Sequence, residues 1–320
     1  MRKTAIISAC TALAAAFAAT EYEIYRKAFY SKPGHDDPYE LPRGEQYQLE
    51  RERMLSLIRD IDAVPYEPVY ITSYDGTRLF GRYYHVRDGA PLQIELHGYR
   101  GSALRDFCGG DALARSLGMN TLLVDERGHG KSGGHAITFG VRERYDCLAW
   151  CEWAAARFGA EMPIFLAGVS MGAATVLMAS ELPLPANVRG IFADCPYSSP
   201  AAIIRKVVHE DMRLPAAPAM ALVRIASRIF AHFGLDESSA VEAVQHAKVP
   251  ILLVHGEDDR FVPCYMSREI YENCASHATL ETFPGAGHGL SYIVDEPRYR
   301  ECARKFVSEC MAIDGTPQLC

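Results

Sequence analysis

The sequence predicts an α/β fold built on a mostly parallel central sheet, with antiparallel strands at one edge, helices on both faces and a helical insertion above it. Three observations carry this expectation. From residue 92 onward, apolar runs of strand length alternate with stretches of helix length, the pattern of a parallel sheet covered on both sides. Asp75-Gly76 lies between two β-rich runs, which is a hairpin signal. Residues 197–246 break the alternation: they hold no strand run, and two helix-length stretches are split at Pro215 and Pro218.

The elements follow in order. Arg2 and Lys3 precede an apolar run over 5–19, which Glu21 and Glu23 end. This is the layout of an export signal, with Ala16-Phe17-Ala18 as a small-residue cleavage site. The run falls short of the roughly 18 residues of a membrane span, unless Thr4 and Thr20 extend it into an uncleaved anchor. Cys10 is poorly placed for lipid attachment, because most of the run follows it. Residues 1–30 are therefore expected to be a signal or membrane-anchor segment, with the body secreted or membrane-anchored outside the cytoplasm by the positive-inside rule. Ten cysteines fit an oxidising exterior poorly. Two alternatives stay open: a cytoplasmic protein, and an amphipathic terminal helix packed on the body.

Residues 31–43 hold Ser31, Pro33, Gly34, Asp36, Asp37, Pro38 and Pro42 and read as a linker or exposed loop. In the charged stretch 45–62, Leu49, Met54, Leu55, Ile58 and Ile61 recur near helical spacing, which predicts an amphipathic helix. The hairpin comprises 69–74 and 79–86. Further strands are expected at 92–96, 121–125, 164–169, 190–194, 251–255 and 279–283, and helices at 102–117, 141–158, 171–182, 264–276 and 297–311. Stretches 201–213 and 217–233 look helical, and we expect a lid at about 197–246. The organisation is thus a terminal segment 1–30, a linker and helix over 31–65, and one domain over 66–312 that includes the lid.

Composition narrows the function. A formal net charge of −7 and the lack of any Lys/Arg tract argue against nucleic-acid binding. The cysteines show no C-x-x-C spacing, so neither a closed zinc site nor a disulfide framework has its usual signature. Cys147 and Cys151 share one face of the expected helix 141–158 and read as buried thiols.

The strongest chemical signal is Gly168-Val169-Ser170-Met171-Gly172, between the expected strand 164–169 and the helix that follows. G-x-S-x-G in a strand–turn–helix setting exposes a serine hydroxyl at the carboxyl end of the sheet. The turn leaves little room for flanking side chains, hence Gly168 and Gly172. The amide of Met171 opens a helix, where unpaired N–H groups and the helix dipole favour negative charge. The second oxyanion donor is expected in the loop after 92–96, His97-Gly98-Tyr99-Arg100-Gly101, at the Tyr99 amide. His97 is expected to order that loop by hydrogen bonds.

A serine nucleophile needs a base, and the base needs an acid to orient it. His288, in Gly285-Ala286-Gly287-His288-Gly289, follows the last expected strand. Asp259 follows strand 251–255, with Asp258 its main rival and Glu257 a weaker one. Both positions lie beyond carboxyl ends of parallel strands, where such sheets bind ligands. Gly128-His129-Gly130-Lys131-Ser132 imitates the end of a phosphate loop, but Asp125 stands where that loop requires glycine. It reads better as a packed turn, and His129 and His135 have no metal-ligand spacing.

On these residues the sequence resembles serine hydrolases of the α/β-hydrolase superfamily. The resemblance runs over about 66–312, through His97-Gly98, Asp125 to Ser132, the Ser170 turn, the Asp259 segment ending in Val262-Pro263, and His288. The order Ser170, Asp259, His288 is that of the superfamily. Bacterial esterases, acylglycerol lipases and proline-type aminopeptidases are the nearest members. The resemblance implies the α/β-hydrolase fold and an acyl-enzyme mechanism with no metal and no organic cofactor.

The expected activity is hydrolysis of short- to medium-chain carboxylic esters, small molecules that an apolar lid face would hold. Ala216, Ala217, Ala219, Met220, Leu222, Val223 and Ile225 form that face, and their alternative role is to seal the lid to the body. Arg205, Lys206, His209 and Arg213 read as a solvated helix face. An aminopeptidase on the same fold is the alternative. It would need a fixed anion for the substrate amine, with Glu210, Asp211 and Asp236 as candidates. A non-catalytic binding protein with a relic site is the alternative of another class.

Overall fold

The computed structural model describes residues 2–32, 34 and 37–312, with side chains from residue 11 onward. Its eight strands are β1 (Glu67–Thr72), β2 (Arg78–Tyr84), β3 (Leu92–Leu96), β4 (Asn120–Asp125), β5 (Ile164–Val169), β6 (Val188–Asp194), β7 (Ile251–Gly256) and β8 (Ala278–Phe283). They form one sheet in the order β1-β2-β4-β3-β5-β6-β7-β8. β2 runs antiparallel to both β1 and β4, and the remaining pairings are parallel. Strands β3, β4 and β7 are buried at every residue, as parallel strands covered on both faces must be. The chain leaves β3 towards β4 on one side and returns as β5 on the other. The loops after β3 and β5 therefore diverge, which opens a crevice at the carboxyl ends of these two strands.

In chain order the helices are α1 (Arg2–Ala28), α2 (Glu45–Leu49), α3 (Arg51–Asp62), α4 (Ala103–Asp106), α5 (Cys108–Ser116), α6 (Glu143–Phe158), α7 (Met171–Ala179), α8 (Pro200–Lys206), α9 (Ala216–Phe230), α10 (Ala240–Ala243), α11 (Tyr265–Glu272), α12 (Ser291–Val294) and α13 (Glu296–Ala312). On one face of the sheet, Leu166, Ile191 and Leu253 pack with Trp150, Cys147 and Cys151 of α6 and Val176 of α7. Both thiols are free and buried. On the other face, Leu123 and Ala167 meet Ile58 of α3 and Leu113 of α5, while Phe165 and Leu252 meet Phe306 of α13. The helix expected over 102–117 is two helices. Ser102 caps α4 by accepting from the Arg105 amide, the chain leaves helical geometry at Phe107, and α5 restarts at Cys108. Gly109 and Gly110, weak helix formers, begin the second piece.

The largest departure from expectation lies at the N-terminus. Residues 21–31 belong to the body rather than to a separate segment. Glu21 is buried, Tyr22 and Tyr25 lie against Phe230 of α9, and the fully buried Phe29 packs edge-on against Phe139 and Phe233. Tyr30 bridges to Ala136, and the Ser31 amide donates to the His135 carbonyl. Residues 11–20 are exposed. No helix among the described residues is long and apolar enough to cross a membrane. A signal or anchor segment reaching residue 30 is therefore not supported. The aromatic residues at 22, 25 and 29 sit three and four apart and form a packing face, a signal that the apolar run upstream outweighed in the sequence. Of the expected loop 31–43, Pro33 and Asp36 lie outside the described residues. The helix expected over 45–62 divides at Glu50 into α2 and α3, with Tyr47, Met54, Ile58 and Ile61 buried.

One outcome follows for stability. Phe29→Ala, which empties a fully buried ring site, lowers the unfolding free energy by about 3–5 kcal/mol in a urea titration.

Candidate active site

Ser170 occupies the turn between β5 and α7 with φ 55° and ψ −111°, a left-handed backbone that costs about 1–3 kcal/mol in a non-glycine residue. The turn closes so tightly that a Cβ on Gly168 would lie 2.2 Å from the Gly172 carbonyl oxygen. A Cβ on Gly172 would lie 1.9 Å from that of Leu96. The glycines thus let the serine turn fold on itself and sit against the end of β3. The Ser170 amide donates to the Asp194 carbonyl at 2.8 Å, which ties the turn to β6.

His288 lies 2.9 Å from the Ser170 hydroxyl through Nε2 and 2.6 Å from Asp259 Oδ2 through Nδ1. The Asp259 carboxylate accepts from the amides of Phe261 and Val262 with its other oxygen, at 2.9 and 2.8 Å. Burial alone would raise its pKa. The hydrogen bonds from His255 and His288 outweigh burial and hold it well below the usual carboxylate range. Asp258 and Glu257 stay exposed, and Glu257 accepts from Thr282 instead. Of the three neighbouring acids, only Asp259 hydrogen-bonds His288.

The loop after β3 is held against Ser170. A Cβ on Gly98 would approach the Ser170 Cβ to 3.4 Å, and the Gly98 amide donates to Asp106 at 2.8 Å. His97 Nδ1 donates to the Gly98 carbonyl at 2.9 Å, which leaves Nε2 to accept from the Glu126 amide at 3.1 Å. His129 repeats the pattern, bonding the Arg127 carbonyl and accepting from the Arg100 amide at 3.2 Å. Burial, helped by the nearby His97, pushes the His129 pKa down to about 3, so the ring stays a neutral acceptor. Met171 opens α7, where no intrahelical acceptor exists for its amide. The Tyr99 ring stacks on Phe139, and its hydroxyl donates to the Ala28 carbonyl at 2.9 Å. Arg100 donates to the carbonyls of Lys27 and Tyr30. The end of α1 is thereby tied to this loop.

Several contributors went unnoticed in the sequence. Tyr47 of α2 donates its hydroxyl to the backbone carbonyl of His288 at 2.8 Å. Cys195, fully buried with φ 48°, brings its thiol within 4.8 Å of Asp259 and His288 donor atoms. Burial pushes that thiol's pKa well up, and the Asp259 oxygens accept hydrogen bonds from His288, Phe261 and Val262. Asp194, buried beside it, accepts from Tyr299 at 3.1 Å and is pushed up to about 6 by burial. The only sequence trace of these contacts is Asp194-Cys195 ending an apolar strand. Nothing in residues 45–49 points to His288.

A cavity of about 520 Å³ opens over Ser170, His288 and Tyr99. Phe107, Leu113, Phe192, Val254 and Phe261 give it apolar walls, and Arg43, Lys206 and Arg260 are among its polar lining. The lid contributes differently from expectation. Met220 and Val223 of α9 are buried in the cluster with Phe139 and Ile204, so α9 seals the lid to the body and does not line the cavity. Lys206 is no solvated residue. It is buried, and its Nζ is held by both Asp211 oxygens and the Arg260 carbonyl at 2.7–3.0 Å. Asp236 pairs with Arg224 and stands off the cavity, as does the exposed Glu210. Asp125 is a packed turn: it accepts from Arg82 and from the Lys131 amide, and a Cβ on Gly130 would strike it at 2.1 Å.

Residues 94–237 and 209–292 match the family described as serine aminopeptidase, S33. Protein YqkD of Bacillus subtilis is 25% identical over 191 residues, 60% of this chain and 63% of that protein. The lysophosphatidylserine lipase ABHD12 of Rattus norvegicus is 26% identical over 242 residues, 68% of this chain and 56% of its own length. The chain thus spans less than two thirds of either relative. Among solved structures, the esterase Pf2001 of Pyrococcus furiosus superposes with a TM-score of 0.61 at 21% identity, covering 88% of this chain and 98% of that one. Est1E of Butyrivibrio proteoclasticus, with ferulic acid bound, gives 0.60 at 24% identity, covering 76% and 99%. At these identities the structures establish the α/β-hydrolase fold.

The His129 shift has a consequence for stability. Its folded pKa of about 3 lies below the ordinary histidine value near 6.5, so between those values the unfolded chain binds the extra proton. This residue therefore costs stability as pH falls from 6.5 towards 3, by up to about 1.4 kcal/mol per pH unit. Urea titrations at several pH values will show a shallower loss below pH 6.5 in His129→Gln than in the wild type.

Proposed function

Because the chain belongs to the serine aminopeptidase S33 family of α/β hydrolases, we propose that it is a serine esterase in which Ser170, His288 and Asp259 form the catalytic triad. The observation that carries the reading is the His288 ring, bonded to the Ser170 hydroxyl on one side and to Asp259 on the other. Ser170 Oγ attacks the ester carbonyl while its proton passes to His288 Nε2. Asp259, ionised because its carboxyl is held so low, keeps the proton of His288 on Nδ1 and stabilises the imidazolium. The Tyr99 and Met171 amides take the developing oxyanion, each such donor contributing about 2.7–4 kcal/mol. His288 returns the proton to the leaving alcohol, the acyl group remains on Ser170, and a water activated by the same ring releases the acid.

The apolar walls support short- to medium-chain acyl groups, since each buried CH₂ contributes about 0.8 kcal/mol. The cavity's charges weigh against an aminopeptidase: Asp211 is neutralised by Lys206, while Arg43 and Arg260 repel a substrate ammonium. The same two arginines favour a second, narrower reading, a monoacyl ester with an anionic head group, the substrate type in the name of the ABHD12 relative.

Ser170→Ala lowers kcat on p-nitrophenyl hexanoate at least about 10⁴-fold, and Asp259→Asn by about 10³–10⁴-fold. Unchanged turnover by purified Ser170→Ala overturns the triad. A panel of p-nitrophenyl esters from acetate to dodecanoate, run beside leucine p-nitroanilide and lysophosphatidylserine, identifies the substrate class. Fluorophosphonate labelling of the wild type but not of Ser170→Ala separates an enzyme from a relic binding site.

A further inference from the structure

We propose that the chain upstream of the family segment is part of the catalytic apparatus, with Tyr47 as a positioning residue for His288. The proposal rests on the triad reading above. Tyr47 lies well before residue 94, where the family match begins. Its hydroxyl donates to the His288 carbonyl at 2.8 Å, and its ring is buried in the cluster with Leu104, Phe107 and Tyr292. Its neighbour Gln46 fills the space beside Gly287, where a Cβ would lie 1.7 Å from the Gln46 Oε1. α2 thus presses on two successive residues of the histidine loop, at the backbone rather than at the ring.

This loop needs outside support. Gly285 and Gly289 both have positive φ, and glycine's wide conformational range leaves the loop little stiffness of its own. His288 must nevertheless keep two hydrogen bonds, at 2.6 and 2.9 Å, and such geometry tolerates only about 0.5 Å of drift. Burial raises the Tyr47 phenol pKa, so it remains a donor at every working pH. The same upstream chain holds the opposite side of the site, through the Ala28 carbonyl that accepts from Tyr99.

The test compares full-length Tyr47→Phe, which removes only the hydroxyl, with Ile58→Val, which loosens packing of the adjacent α3 without touching the loop. Tyr47→Phe is expected to lower kcat on p-nitrophenyl hexanoate about 5- to 20-fold, with KM changed less than twofold and an unchanged melting temperature. It is also expected to broaden or move the downfield proton resonance of the His288 Nδ1–H to Asp259 bond. Ile58→Val is expected to lower the melting temperature while leaving kcat and that resonance as in the wild type. Wild-type kcat and an unmoved resonance in Tyr47→Phe overturn the proposal, as does a loss of kcat in Ile58→Val equal to that in Tyr47→Phe. If the wild type turns over no ester, the functional reading falls, and the resonance alone decides whether Tyr47 positions the ring.

Discussion

The site depends on one close approach, the backbone of Gly172 against the carbonyl of Leu96. Any side chain at 172 would stand 1.9 Å from that oxygen, so the serine turn meets the end of β3 only because glycine is there. This contact joins the two loops that the reversal of strand order sets apart. It brings Gly98 close to Ser170. Without it the turn would still form, but it would not share a crevice with the loop that follows β3.

Around this contact the protein arranges buried polar groups by their charge state. His97 and His129 accept the Glu126 and Arg100 amides and so order the loop after β3. Glu126 is buried, and its carboxyl is pushed well up by burial and by Glu143. Asp146 carries the neighbouring charge and is matched by the guanidinium of Arg127. Burial would raise Asp259, yet it is driven down because two histidines and two backbone amides face it.

The lid and the upstream chain divide the labour differently from their sequences. α9 looks like a lid face for acyl chains, yet its apolar stripe is spent on the body and on α1. The cavity wall comes instead from α5, from the sheet face it covers, from the short α2 that precedes β1, and from Lys206 and Asp211 of the lid. Arg43 and Arg260 join Lys206 in the polar part of the cavity.

Much of this was legible in the residues. Each strand was placed to within two residues at its ends, because apolar runs bounded by turn residues read clearly when both faces are buried. Gly168, Ser170 and Gly172 were singled out together because a turn so tight admits no other pattern. What the sequence left open was everything decided between segments distant along the chain. Asp258 and Asp259 differ by one position, and only the loop geometry turns one towards His288. The apolar run at 5–19 spoke louder than the aromatic face at 22–29, whose partners lie some 100 to 200 residues away. Tyr47 carries no local sign of its bond to residue 288. Local patterning determines which elements form and which residues can be reactive, since backbone sterics and burial act over a few residues. Which side chains meet is decided by packing, because the same apolar face or carboxylate fits many partners until the fold selects one.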